Sequence, residues 1–227
     1  TWISTGQLDG ARKQLRKALD DLDPALEAGI PIVGLEPSCT AALRGDAAEL
    51  LPGDPRAAKL ATAVRSLAEL LRETDGWTPP DLSGVAGVAQ PHCHHRAAGS
   101  WEADAALLRD AGASLNAVGG CCGLAGNFGV ERGHYEVSVK VAETALLPAV
   151  RAALAATGSG ATILADGFSC RTQLNELAGI PGTHLAEVLA SRLYPGAAPQ
   201  VPPGPPGTAG TESLGTGRLP PTWARIR

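Results

Sequence analysis

The sequence predicts an α/β fold whose parallel-rich sheet is flanked by helices. Short apolar runs at 30–35, 85–90, 114–118 and 161–165 alternate with longer segments of helical periodicity. Alternation of this kind builds strand–helix–strand units and hence parallel sheets. Three of the runs give way to turns carrying His92-Cys93-His94-His95, Gly119-Gly120-Cys121-Cys122-Gly123 and Gly167-Phe168-Ser169-Cys170-Arg171. In an open parallel sheet the strand ends share one rim, where ligands bind. The pattern therefore predicts that Cys93, Cys121, Cys122 and Cys170 meet at that rim and hold a metal centre.

The elements follow in order. Leu8, Ala11, Leu15, Ala18, Leu19 and Leu22 recur at helical spacing, predicting a helix from about Gly6 to Ala28 that Gly29 ends. Residues 30–35 read as a strand, Glu36-Pro37-Ser38-Cys39 as a turn, and 40–51 as a helix broken at Pro52-Gly53. A single helix is expected over 55–73, and a proline-bearing loop over 76–84. Strand 85–90, helix 99–111 and strand 114–118 lead to the paired cysteines. A helix over 134–156, kinked by Pro148, precedes strand 161–165. Helices over 171–177 and 184–193 close the fold. The remaining residues, 195–227, are rich in Pro, Gly, Ser and Thr and bury too little apolar surface to offset ordering entropy, which predicts a disordered tail.

Composition narrows the function. The 227 residues carry a formal charge of −4 and no basic stripe, which argues against nucleic acid. No apolar run approaches ~18 residues, so no transmembrane segment is expected. Five cysteines confined largely to motifs suit a reducing cytosol, with any membrane partner met at the inner surface. The chain has no methionine and begins Thr1-Trp2, which predicts a piece of a longer polypeptide.

Adjacent cysteines limit the chemistry further. Neighbouring Cα atoms are ~3.8 Å apart, whereas disulfides want ~4.4–6.8 Å, so a Cys121–Cys122 bridge would be strained. Structural zinc favours thiolates separated by two to four residues. Successive thiolates point apart and reach different metal atoms more naturally, as a multi-iron cluster offers. The glycines that follow let backbone N–H groups approach thiolate or sulfide.

These motifs resemble the cysteine-rich CCG domain of heterodisulfide reductases, of glycolate, lactate and glycerol-3-phosphate dehydrogenase iron–sulfur subunits, and of the C-terminal end of FAD-linked oxidases, the last being nearest in wording. The resemblance runs from Thr1 to about Leu193. It implies a [4Fe–4S] cluster on Cys93, Cys121, Cys122 and Cys170, relaying electrons from an FAD of the parent protein that oxidises a 2-hydroxy acid such as D-lactate or glycolate. It also implies as partners a flavin domain, a ferredoxin-like 4Fe–4S domain, and a quinone or acceptor protein. The chain itself carries no flavin-binding pattern. The family often has a further cysteine where Gly167 stands; the four that remain suit a cubane better than a non-cubane cluster. An echo between Ile32–Cys39 and Ile163–Cys170 matches the family's tandem halves. On that reading residues 1–80 end a first half-domain, whose missing strands leave an exposed sheet edge, and 81–194 form the second.

His92, His94, Gly123, Arg171 and Cys39 are candidates for ligand or supporting roles, with His94 foremost among the histidines and Cys39 more structural than ligating. Arg171 either offsets cluster charge or pairs with a surface carboxylate. Two rivals use the same residues: a zinc-binding docking module on the four cysteines, and a thiol enzyme with Cys170 as nucleophile. Gly123-x-x-Gly126-x-x-Gly129 lacks the dinucleotide-binding spacing. Glu131 and His134 read as a solvated helix start.

Overall fold

A computed structural model describes residues 2–194; the tail expectation for 195–227 lies outside the described residues. Two parallel sheets carry the chain. β1 (Ile32–Gly34) pairs with β2 (Val64–Ser66), and β3 (Ala86–Ala89) lies between β4 (Ser114–Ala117) and β5 (Thr162–Leu164). Both pairings of β3 are parallel, as the alternating pattern requires.

In the first half α2 (Pro37–Ala41) follows β1 and packs beside it, while α1 (Leu8–Glu27) packs over the short helices α3 (Ala47–Leu50) and α4 (Pro55–Ala63). Leu15, Leu19, Leu26, Leu51, Leu60 and Val64 form its core. A π-helical turn at Ala42–Asp46 joins α2 to α3 and carries Arg44. The Arg44 guanidinium pairs with Glu69 and donates to Val64 O and to Ser100 Oγ, tying this half to the next. β1 has β2 on one side and, among the described residues, no strand on the other. Val33 within it and Ile30 and Leu35 on either side are exposed, at 37%, 54% and 55%.

The single helix expected over 55–73 is two helices. Val64–Ser66 leaves α4 to pair with β1, and α5 (Leu67–Glu73) restarts behind a reciprocal cap. Ser66 Oγ accepts the Glu69 N–H and the Glu69 carboxylate accepts the Ser66 N–H. The Ser-x-x-Glu signature was present in the sequence, but helical periodicity masked it.

In the second half β3 leads through α6 (Cys93–Ala97) and α7 (Trp101–Asp110) to β4. β4 leads through α8 (Tyr135–Thr144) and α9 (Leu146–Thr157) to β5, and α10 (Phe168–Ala178) and α11 (Leu185–Leu193) follow. The helix expected over 134–156 breaks at Ala145 (φ −144°, ψ −47°) rather than kinking at Pro148. A proline clashes with the carbonyl four residues earlier, here Thr144, so the break falls before the ring. α10 begins at Phe168, three residues earlier than expected, which places Cys170 in its first turn.

The carboxyl ends of β3 and β5 are buried on both faces. Val88 and Ile163 pack with Leu146, Val150 and Leu174, while Ala89 and Leu164 pack with Leu107, Leu185 and Val188. Gly87 permits the close approach of β3 to β5: at φ +146°, a Cβ there would lie 2.2 Å from Thr162 O. No helix of the described residues is long and apolar enough to cross a membrane.

Ser66→Ala removes one arm of the α5 cap. It is expected to lower stability by about 1 kcal/mol in urea unfolding, with an unchanged denaturant slope; a variant as stable as the parent contradicts the assigned cap.

Candidate metal centre at the sheet rim

β3 is the point where strand order reverses, with β4 to one side and β5 to the other. Crevices outside the carboxyl ends of strands form at such points. Cys93 opens the helix after β3, Cys121 and Cys122 lie in the loop after β4, and Cys170 sits in the helix after β5. Local hydrogen bonds hold these loops together. Gln90, buried at the end of β3, donates through Nε2 to Gly120 O at 3.2 Å, and Arg96 donates to Val118 O at 3.1 Å.

The structure brings the four sequence-predicted cysteines together. The Cys121 thiol interacts with those of Cys122 and Cys93, and Cys122 in turn with Cys170. All are free thiols. The series runs from surface to core: Cys93 is exposed, Cys121 half-buried, and Cys122 and Cys170 buried. Interaction with its thiol neighbours lowers the Cys121 pKa, and the Gly123 N–H, 3.3 Å from its Sγ, adds to this. Cys93 and Cys122, each paired with Cys121 and partly desolvated, are shifted up. The arrangement favours negative charge at Cys121 first.

Gly123 is held tightly. Its φ is +94°, and a Cβ would lie 2.2 Å from Ser138 O on α8. Gln173 Nε2 donates to Ser138 Oγ at 2.9 Å, so α8, α10 and the cysteine loop share one buried contact. Glycine supplies both the positive φ and the missing side chain.

The histidines separate by role. His92 caps α6: its Nδ1 accepts the His94 N–H at 3.2 Å and lies 3.9 Å from Cys93 Sγ. Burial pushes its pKa down, keeping the ring neutral. Its place depends on Gly167, where a Cβ would meet His92 Cδ2 at 2.2 Å. The imidazole thus occupies space beside the position where the CCG pattern often has another cysteine. His94 stands with its ring centroid 5.3 Å from that of His92. Arg171 lines a broad groove with Phe168 and Glu187, its Nε buried and without a hydrogen-bond partner. Cys39 lies on α2, where burial followed by Glu36 raises its thiol pKa.

Glu36, which sequence reasoning used only as a turn residue, bridges the halves. Its carboxylate accepts the Ser38 and Phe168 N–H groups at 3.3 and 2.7 Å, holding the N-terminus of the helix that carries Cys170. Nothing local in the sequence signals this, because the partners are 132 residues apart.

No family model matches the chain, and no solved structure matches it significantly. Two curated proteins are similar. D-2-hydroxyglutarate dehydrogenase of Escherichia coli (strain K12) is 29% identical over 188 residues, and that of Pantoea ananatis (strain AJ13355) is 27% identical over 191. Each match covers 81% of this chain, which spans only 18% of the relative's length.

Gly167→Ala is expected to destabilise the protein by roughly 1–3 kcal/mol by displacing His92. In a His92→Ala background the same change should be close to neutral; equal penalties in both backgrounds contradict the packing described. Over four fifths of its length, then, the chain is similar to one part of oxidoreductases named D-2-hydroxyglutarate dehydrogenases.

Proposed function

We propose that the chain is the CCG-type electron-transfer module of an FAD-linked D-2-hydroxy acid dehydrogenase, with Cys93, Cys121, Cys122 and Cys170 holding a [4Fe–4S] cluster. The observation that carries this reading is the surface-to-core series of four free thiols delivered by three adjacent parallel strands. The donor set suits the group: four thiols converge, an N–H is aimed at Cys121, and a neutral imidazole stands beside Cys93. Such a cluster supplies one-electron storage, its potential set by charge, hydrogen bonds to sulfur and exposure.

Within this reading Cys122 and Cys170 anchor the inner side. Gly123 stabilises the Cys121 thiolate, and the Cys93 edge faces outward, where electrons enter or leave. The names of the relatives supply the substrate class; by the CCG resemblance, it is oxidised at an FAD elsewhere in a parent protein that also carries a ferredoxin-like domain. A quinone at the membrane surface or an acceptor protein takes the electrons. Residues 1–80 close a first half-domain and 81–194 form the cluster-bearing half.

The zinc alternative asks for a tighter site. Thiolates ~2.3 Å from one tetrahedral zinc lie ~3.8 Å from one another. Among the described residues, the one set of three potential ligand atoms within 4.8 Å of one another is His95, Asp104 and Asp166, with no cysteine in it.

Anaerobic reconstitution with iron and sulfide should give a brown protein with about four of each per chain. Cys121→Ala and Cys170→Ala should abolish the colour, and Cys39→Ala should keep it. A colourless protein holding stoichiometric zinc without sulfide, or a Cys170→Ala variant with full iron content, overturns the proposal.

A further inference from the structure

Behind the rim, between α6, α7 and the β5–α10 loop, lies a cavity of about 20 Å³ lined by His95, Asp104 and Asp166, with Ser100 and Thr40 beside them. One atom from each of the three titratable residues lies within 4.8 Å of the others. His95 and Asp104 side chains are 6% and 2% exposed. His95 Nε2 is 3.2 Å from Asp104 Oδ2, yet it and both Asp104 oxygens lack a hydrogen-bond partner. Three buried polar atoms left unpaired around one small space are costly unless something occupies it.

The neighbouring cationic side chains are largely engaged elsewhere. Arg44 is engaged by Glu69, Val64 O and Ser100. His184 accepts the Ala186 N–H at Nδ1, so its Nε2–H faces Leu35 O at 2.9 Å and offers no lone pair to the cavity. Asp166 Oδ1 accepts the Leu185 N–H at 2.7 Å, which holds the carboxylate in place. His184 Nε2 also stands 3.7 Å from Asp166 Oδ1, so the nearest potentially cationic groups are two imidazoles, and Asp104 has only His95 beside it.

We infer that His95, Asp104 and Asp166 bind a single divalent transition-metal ion of the zinc class, separate from the four thiols. Imidazole nitrogen and carboxylate oxygen are both zinc donors, and ligand atoms 2.0–2.2 Å from a tetrahedral zinc lie roughly 3.3–3.6 Å apart. The 3.2 Å His95–Asp104 approach is close to that edge. The volume admits one ion or one water. The ion would clamp α6, which begins at Cys93, to the loop that leads into Cys170. The inference stands independently of the cluster reading.

The test is zinc binding and thermal unfolding of the full chain, stripped with chelator and titrated with zinc alone under reducing conditions. The parent should bind one more zinc equivalent than Asp104→Asn, with zinc affinity at this site falling ~100-fold or more in the variant. Zinc at a hundredfold excess over its dissociation constant should raise the parent's melting temperature by roughly 5–10 °C. Asp104→Asn should lose this increment, while Cys121→Ser should keep it. Asp104→Asn is nearly isosteric, and His95→Gln gives a second readout should it misfold. Equal zinc content and equal zinc-induced shifts in the parent and either folded variant overturn the inference and leave a plain acid–imidazole pair.

Discussion

The parallel ladder around β3 is the constraint on which the rest depends. Its hydrogen bonds continue to the rim, with Gln90 N–H to Leu164 O and Val118 N–H to Ala89 O, both 2.8 Å. The three strands then diverge and release their cysteine-bearing turns over a common crevice. A slip of one residue would turn every side chain to the opposite face. Val88 and Ile163 would leave the apolar layer under Cys122 and Cys170, so apolar packing and thiol convergence are fixed by the same register.

Polar contacts refine what the ladder sets. Gln90 and Arg96 hold the second cysteine loop, Glu36 holds the N-terminus of α10 from the other half, and Gln173 locks Gly123 against α8. A side-chain amide or carboxylate bonded to a buried backbone group is worth most where water cannot substitute for it. Each of these sits at or near the rim. The two halves therefore meet where the thiols are, and Arg44 and His184 add further cross-links between them. Both sheets are open among the described residues, and the chain on either side of β1 exposes Ile30 and Leu35.

Much of this was legible in the sequence for physical reasons. Short apolar runs ending in glycine and cysteine give strand, turn and ligand in one pattern, and all four thiols named from it share the rim. Helical periodicity was less reliable. It hid the β2 interruption, because Val64 and Leu67 suit a strand edge and a helix face equally, and only pairing with β1 decides between them. It also hid the break at Ala145, which the backbone places before Pro148. Glu36, Asp104 and the His92–Gly167 contact had no local signature at all. Their roles come from partners far away in the chain, and a buried aspartate on a helix reads like a solvated one until the fold is known.

Iron K-edge X-ray absorption of the reconstituted, anaerobic protein tests the central claim most directly. The account predicts an all-sulfur first shell together with an iron–iron scattering shell, both lost when Cys121 and Cys122 are replaced. Iron bound to mixed light atoms with no iron–iron shell, or a spectrum insensitive to those replacements, would contradict it.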